Sequence, residues 1–205
     1  MSATIKLHKN DLPPGLAFKD AVAVDTETLG LRPHRDRLCV VQLSAGDDAV
    51  HLVQFDGKDW SAPRLKAHLS DPSILKIFHF ARFDVAVLRQ YLGVECDPIY
   101  CTKIASKLAR TYTDRHGLKD LCAELLGVDL SKQQQSSDWG AEKLTDQQRH
   151  YAASDVLHLH ALRTKLDTML QREGRVVAAE ACFRFVSARA SLDLAGFEDV
   201  DIFAH

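Results

Sequence analysis

Two carboxylates stand one residue apart at the end of an apolar run. Residues 21–24 (AVAV) predict a buried strand that leads directly into Asp25 and Glu27. Alternate residues of a strand point to the same face, so both carboxylates would face one point. Close, buried anions destabilise each other. A divalent cation between them would remove this conflict, and oxygen ligands favour Mg²⁺ or Mn²⁺. The ordinary alternative is a pair of solvated acids at a strand end.

A third carboxylate, Asp84, lies in the stretch KIFHFARFD, near the start of a predicted helix. The dipole of a helix favours an anion near its first turn. His79 comes just before, at the end of a strand-like run. The alternatives are an acid that only caps the helix dipole and a histidine that is satisfied within the core.

The stretch HYAASDVLHLH places Tyr151 and Asp155 four residues apart. On a helix this spacing puts both side chains on one face. Ala152 and Ala153 between them are small, so the helix can lie close to a neighbouring element. A buried tyrosine that is hydrogen-bonded to an acid one turn away is the alternative interpretation.

Three basic residues, Lys103, Lys107 and Arg110, follow helical spacing and predict one cationic stripe. Such a stripe would suit a phosphate group or a neighbouring subunit. The alternative is a solvated helix face.

The elements that must position these residues are strands first and helices later. Apolar and β-branched runs predict strands over 21–24, 38–43, 49–55 and 74–78. Helical patterns are found over 62–69, 85–92, 103–110, 118–126 and 175–190. Thr145 with Gln148 forms a capping-box pattern, and leucines at helical spacing continue beyond it. These patterns predict one long helix from Thr145 to about Met169. The order of elements indicates a mixed α/β domain with helices packed on a sheet.

Composition excludes several classes of protein. The chain has 205 residues, of which 46% are hydrophobic and 26% charged, as in globular proteins. No run approaches the roughly 20 apolar residues of a membrane span, and the N-terminal stretch lacks the apolar core of a secretory signal. We therefore expect a cytoplasmic protein without a membrane partner. A formal net charge of −2 argues against a binder of long duplexes but allows a short nucleic acid.

The acidic motifs, taken as a set, resemble a known group of enzymes. DTET with its following Gly30 and Leu31, an aromatic residue before Asp84, the segment KQQQSSDW at 132–139 and the motif YAASDV occur in this order. This order resembles the DEDD exonuclease superfamily, in its branch marked by tyrosine, and within it the ribonuclease D family. The resemblance covers about residues 20–170. One departure is Phe80, where many members have asparagine.

The resemblance implies a ribonuclease H-like fold, a mixed sheet of about five strands flanked by helices. It implies a single 3′-5′ exonuclease domain over residues 1–205, with its core at about 20–170 and a C-terminal helix and tail at 171–205. No accessory nucleic-acid-binding domain is expected.

The resemblance also implies a two-metal-ion hydrolysis of phosphodiesters, with Mg²⁺ or Mn²⁺ as the cofactor. Asp25, Glu27 and Asp155 would hold the first cation. Asp25 would bridge to the second, and Asp84 would support that ion through water. Tyr151 would orient the attacking water, and a nucleoside 5′-monophosphate would leave from the 3′ end.

Three further contacts to the nucleotide follow from the resemblance. Leu31 would be an apolar wedge between the last two bases, with core packing as the alternative. His79 and the backbone near Thr28 would contact the terminal nucleotide. By its helical spacing, and not by the resemblance, the basic stripe that begins at Lys103 would meet the 5′ phosphate or a neighbouring subunit, with a solvated face as the alternative.

Several stretches, among them KIFHFARFD and CTKIASKLARTYTDRHGLK, resemble the short alphaproteobacterial members called nanoRNase C. Resemblance to these members implies very short RNA substrates, including dinucleotides such as pGpG. It also implies a homo-oligomer in the form of a ring-shaped octamer. Broader trimming of longer or structured RNA, as by ribonuclease D, or of DNA, is the alternative activity. A non-catalytic binding module is a third hypothesis. Such a module would be expected to lack at least one of the acidic residues, and this sequence has all of them.

Overall fold

Six strands form one mixed sheet in the order β1-β4-β3-β2-β5-β6. The computed structural model describes residues 3–131 and 136–204. The strands are β1 (Thr4–Lys9), β2 (Ala21–Thr28), β3 (Leu38–Ser44), β4 (Ala49–Gln54), β5 (Leu75–Phe78) and β6 (Ile99–Cys101). β3 runs antiparallel to both of its neighbours, whereas the pairs β1–β4, β2–β5 and β5–β6 are parallel. The predicted α/β class with a mixed sheet is confirmed.

The four predicted strands are all present, and two strands were not predicted. β1 pairs with β4 at one edge of the sheet, and β6 pairs with β5 at the other. β1 alternates exposed and half-buried side chains, and β6 has only three residues. β2 lies inside the sheet, and its residues 21–24 are buried as their apolar character predicts.

Seven α-helices of the described residues flank the sheet or extend from it. They are α1 (Pro63–Ser70), α2 (Ala81–Leu92), α3 (Thr102–Ala109), α4 (Leu118–Leu121), α5 (Asp146–Leu157), α6 (Leu159–Arg172) and α7 (Val176–Leu192). Short π-helical turns, Cys122–Leu126 and Asp193–Phe197, continue α4 and α7. Within the described part of the chain, no helix is both long enough and apolar enough to cross a membrane.

The helix expected to continue unbroken from Thr145 is in fact two helices. The capping box is present, because the Thr145 side chain accepts from the Gln148 backbone and the Gln148 side chain accepts from the Thr145 backbone. However, α5 ends at Leu157, and α6 begins at Leu159. His158 between them has φ −102° and ψ −4°, which interrupts the regular helix. The prediction of one long helix was therefore wrong, although α5 begins at the predicted capping box and α6 carries the predicted leucine spacing.

The end of β2 is the meeting point of the layers. α5 packs on β2, β3 and β4, and α2 packs on β2, β3, β5 and β6. Ala152 and Ala153 of α5 are fully buried, so this helix approaches the sheet closely. Residues at the end of β2 are therefore brought next to residues of both helices.

Candidate active site

Three carboxylates from two elements come together at the end of β2. Asp25 and Glu27 project from the strand to one face, and Asp155 projects from α5, which packs over that face. One oxygen from each of the three lies within 4.8 Å of the other two. We call these residues the carboxylate cluster. The structure thus brings together the three residues that the sequence predicted as ligands of one cation.

Burial and mutual repulsion make the carboxylate cluster a strong proton binder. Burial, followed by the charges of Asp84 and Asp155, raises the pKa of Asp25 well above its usual range. The pKa of Glu27 is raised in the same way, first by burial and then by Asp155. Burial raises the pKa of Asp155 to about 7. Carboxylate oxygens are ligands that Mg²⁺ and Mn²⁺ accept, so the donor set fits a divalent cation that would replace these protons.

Asp84 is not one of the three grouped carboxylates, but its charge acts on Asp25, and it is almost fully buried in α2. Its Oδ1 accepts a 2.7 Å hydrogen bond from the hydroxyl of Thr26, which lies between Asp25 and Glu27 on β2. Burial raises the pKa of Asp84 to about 7, and the Thr26 hydrogen bond opposes this rise. The role of Asp84 at a second cation stays a prediction.

Tyr151 lies one helical turn before Asp155 on α5 and faces the same cavity as the carboxylate cluster. Its ring centroid is 6.0 Å from that of the buried Trp139, with the two planes tilted by 40°. Burial, and then the charge of Asp155, raises the pKa of Tyr151 above its usual range. The phenol is therefore neutral at physiological pH, and its hydroxyl can donate a hydrogen bond.

The carboxylate cluster lies in a cavity of about 620 Å³, here called the central cavity. The predicted residues that line it are Asp25, Glu27, Thr28, Leu31, His79, Lys103, Tyr151 and Asp155. Asp84, Lys107 and Arg110 do not line it. Eight of the eleven residues singled out from the sequence therefore share one cavity.

The walls of the central cavity carry the predicted nucleotide contacts. Leu31 is 84% exposed, so the alternative of core packing is wrong for this residue, and its role as a wedge stays a prediction. The Thr28 hydroxyl donates to the carbonyl of Gly30, which holds the turn that carries Leu31. His79 Nδ1 lies 2.9 Å from the Thr102 hydroxyl. Burial, and then the charge of Lys103, lowers the pKa of His79 to about 3, so this ring is neutral.

The predicted cationic stripe does not form, because Arg110 lies beyond the end of α3 and is fully buried. Its guanidinium donates to the Ser106 hydroxyl at 2.9 Å and to the Arg115 carbonyl at 2.8 Å, and it pairs with Glu124. Lys107 is exposed but faces a second groove rather than the central cavity. Of the three basic residues, only Lys103 lines the central cavity.

Several residues of the central cavity received no role from the sequence, among them Phe80, Lys119 and Trp139. Trp139 belongs to a segment whose first part, residues 132–135, lies outside the described residues. Phe80 stood out in the sequence only as a departure from asparagine. Lys119 carries no sequence signal of its own, because a lysine in a helical stretch usually faces solvent.

Comparison with known proteins agrees with this geometry. The family model described as 3′-5′ exonuclease matches residues 6–171. Ribonuclease D of Gluconacetobacter diazotrophicus is 36% identical over 155 residues, which are 76% of this chain and 39% of that protein. Ribonuclease D of Escherichia coli is 33% identical over 159 residues, 78% of this chain and 42% of that protein. The chain thus spans about two-fifths of the length of these curated relatives.

Solved structures give a match over the full length. The structure of Brucella melitensis NrnC bound to pGG has a TM-score of 0.96 and 57% identity, and the match covers 100% of both chains. Brucella melitensis NrnC with bound Mg²⁺ has a TM-score of 0.95 and 57% identity over 98% of this chain and 99% of that one. Escherichia coli RNase D has a TM-score of 0.73 and 30% identity over 84% of this chain and 45% of that one.

Proposed function

Because the chain belongs to the 3′-5′ exonuclease family, we propose that it is a metal-dependent exoribonuclease of very short RNA. In this proposal it removes nucleoside 5′-monophosphates from the 3′ end of oligoribonucleotides, including dinucleotides such as pGpG. The observation that carries the proposal is the carboxylate cluster, whose oxygens lie within 4.8 Å of one another inside a cavity. The full-length similarity to a protein solved with pGG supports the choice of short substrates.

Asp25, Glu27 and Asp155 would hold one divalent cation, and Asp25 with Asp84 would hold a second. Such cations, Mg²⁺ or Mn²⁺, supply a more acidic bound water and neutralise charge on the phosphate and the leaving oxygen. The raised pKa values of the four acids support this assignment, because burial, the first cause of each shift, disfavours a carboxylate charge that no cation compensates.

The other predicted residues of the central cavity would bind the nucleotide or orient the attacking water. The neutral Tyr151 hydroxyl would donate a hydrogen bond to the attacking water and hold it toward the terminal phosphate. The exposed Leu31 would enter between the last two bases, and the backbone at Thr28 would contact the terminal nucleotide together with the neutral His79. Lys103 would meet the 5′ phosphate, since it is the one residue of the predicted stripe that lines the central cavity.

Assembly into a homo-oligomer, with the ring-shaped octamer as the expected form, is a further part of the proposal. Its basis is the resemblance to nanoRNase C. It is supported by apolar side chains that remain exposed in α7 and the tail, among them Val177, Val200 and Phe203. Sedimentation of the intact chain and of a chain truncated before residue 199 tests this part. A monomeric intact chain would contradict the oligomer, and an unchanged assembly after truncation would exclude the tail as a contact.

A substrate-length series is the decisive experiment on activity. Hydrolysis of a labelled 2-mer, a 7-mer and a long structured RNA is compared at equal concentration with Mn²⁺. We expect the dinucleotide to be cleaved fastest. A flat length profile would instead favour the broader ribonuclease D-like trimming, and cleavage of DNA at the same rate would favour a general exonuclease.

Asp25→Asn provides the matched control for the length series. The amide keeps the shape of the side chain, and Gln42 Nε2 lies only 3.3 Å from Asp25 Oδ2, so the variant should fold. We expect it to lose at least about a thousandfold in kcat with Mn²⁺. Metal-dependent hydrolysis that survives this change would contradict the assignment. If the parent chain itself cleaves nothing, the non-catalytic binding module becomes the better description.

A further inference from the structure

We infer that Phe80 is the stacking platform for the base on the 5′ side of the scissile phosphate, and that it acts together with the ammonium of Lys103. This inference rests on the proposed function, because it assigns a contact within the same cavity. It concerns the one position where the sequence departs from the asparagine of many relatives.

The local backbone does not favour a phenylalanine at position 80. Phe80 has φ 69° and ψ 42°, in the left-handed region, and it occupies the N-cap of α2 without any side-chain cap. Asparagine tolerates this backbone far better and is also among the best N-cap residues. Folding alone would therefore select asparagine or glycine here, so the ring must be explained by something other than the stability of α2.

The ring also contributes little to the core. Phe80 is 43% exposed, whereas Phe78 two residues earlier is fully buried. Phe80 lines the central cavity, in the same lining as the residues of the carboxylate cluster. An aromatic side chain that is strained in its backbone and open to a cavity presents a π-surface to whatever enters that cavity.

A cation accompanies the ring. Lys103 Nζ lies 4.1 Å from the centroid of the Phe80 ring, which is within the range of a cation–π contact. Among the described residues, no carboxylate forms a salt bridge with Lys103, so its charge is available to an anion. An aromatic ring beside an ammonium is the combination that binds single-stranded nucleic acid, because the ring stacks on a base while the cation meets a phosphate.

The position of the pair indicates which base it contacts. Phe80 and Lys103 line both the central cavity and the neighbouring groove between α3 and α7, so they form the margin that separates the two. His79, the preceding residue, lies on the cavity side and is assigned to the terminal nucleotide. The Phe80 ring at the margin would therefore contact the nucleotide on the 5′ side of the terminal one. The ammonium of Lys103 would then meet the 5′ phosphate of that nucleotide.

Phe80→Asn separates this role from a structural one. Asparagine suits both the backbone and the cap, so we expect the melting temperature of the variant to be equal or higher. We expect its KM for a 5′-phosphorylated dinucleotide to rise about tenfold, as the loss of one base–aromatic stack predicts. Phe80→Tyr keeps the π-surface and should retain a KM near that of the parent. Phe80→Leu keeps apolar bulk without the ring and should behave as Phe80→Asn does.

A substrate without the 5′-side base completes the test. On a dinucleotide that is abasic at this position, the parent chain and Phe80→Asn should have the same KM, because there is no base left to stack. A tenfold difference that persists on the abasic substrate, or an unchanged KM for Phe80→Asn on the intact one, would overturn the inference. If the parent chain cleaves no dinucleotide, the proposed function fails by itself. The same comparison on a 7-mer with or without its penultimate base then decides the role of Phe80.

Discussion

The hydroxyl of Thr26 donates a 2.7 Å hydrogen bond to Asp84, and this bond joins the strand of the first acidic motif to the helix of the second. Thr26 lies between Asp25 and Glu27, and Asp84 is 3% exposed. The hydrogen bond stabilises the charged form of a carboxylate whose burial would otherwise favour the protonated form. Thr26 therefore helps to keep Asp84 ionised for its predicted role beside the second cation.

We predict that Thr26→Val lowers activity most strongly at low pH. Valine keeps the shape of threonine but removes the donor, so the pKa of Asp84 rises further and its protonated form persists to higher pH. We expect kcat/KM near pH 7 to fall about tenfold, the size of a lost hydrogen bond to a charged group. A pH profile at fixed Mn²⁺ should show the acid limb displaced to higher pH. Thr26→Ser retains the hydroxyl and should keep the parent profile, and a profile that does not move in Thr26→Val would refute this role.

The stability of the metal-free protein should fall as pH rises. The pKa values of Asp84 and Asp155 are raised to about 7 in the folded chain, above the ordinary value of about 4. Between these values the folded chain binds more protons than the unfolded chain, so the free energy of unfolding decreases as pH increases through this window. We expect a loss of about 2 to 4 kcal/mol between pH 5 and pH 8 in EDTA, measured by denaturant unfolding.

Mg²⁺ or Mn²⁺ should counteract this loss. A cation that binds the ionised cluster stabilises the folded chain more at pH 8 than at pH 5, and it releases protons when it binds. In Asp25→Asn one charge of the cluster is absent, so the pH dependence without metal should be flatter. A metal-free protein that is more stable at pH 8 than at pH 5 would contradict the raised pKa values.

The sequence predicted the carboxylate cluster because its members depend on two short-range periodicities. The two-residue period of a strand places Asp25 with Glu27, and the four-residue spacing of a helix places Tyr151 with Asp155. The capping box at Thr145 likewise depends only on residues three positions apart, and the structure contains it. What brings Asp155 to the strand is the packing of α5 on the sheet, which the motifs implied only through family resemblance.

Features that depend on tertiary contacts could not be predicted from the sequence. β1 is a half-buried edge strand and β6 has three residues, so neither carries enough apolar pattern to stand out. The break at His158 comes just before the leucine spacing begins at Leu159, and only the backbone angles reveal it. The burial of Arg110 follows from the end of α3 at Ala109 and from Glu124 in the π-helical turn after α4. Spacing along one element cannot report such contacts.

Arg110 should matter for stability and not for substrate binding. Arg110→Ala leaves the Ser106 hydroxyl and the Arg115 carbonyl without their donor and creates a cavity. We expect a loss of about 2 to 4 kcal/mol in the free energy of unfolding, with kcat and KM of the remaining folded protein unchanged. Lys107→Ala, on an exposed part of α3, should change stability by less than about 0.5 kcal/mol. A higher KM with unchanged stability in Arg110→Ala would instead support the predicted role of Arg110 in a substrate-binding cationic stripe.

Removal of the Tyr151 hydroxyl should slow catalysis and leave the fold intact. Tyr151→Phe keeps the ring that packs 6.0 Å from Trp139, so we expect a melting temperature close to that of the parent. The variant loses the neutral donor that would orient the attacking water, and an effect of this kind is worth about a hundredfold in kcat. Because the hydroxyl acts on the water and not on the nucleotide, KM should change little. Steady-state kinetics on a dinucleotide with Mn²⁺ measure both constants. An unchanged kcat would remove Tyr151 from the mechanism, whereas a raised KM at constant kcat would make it a contact to the substrate.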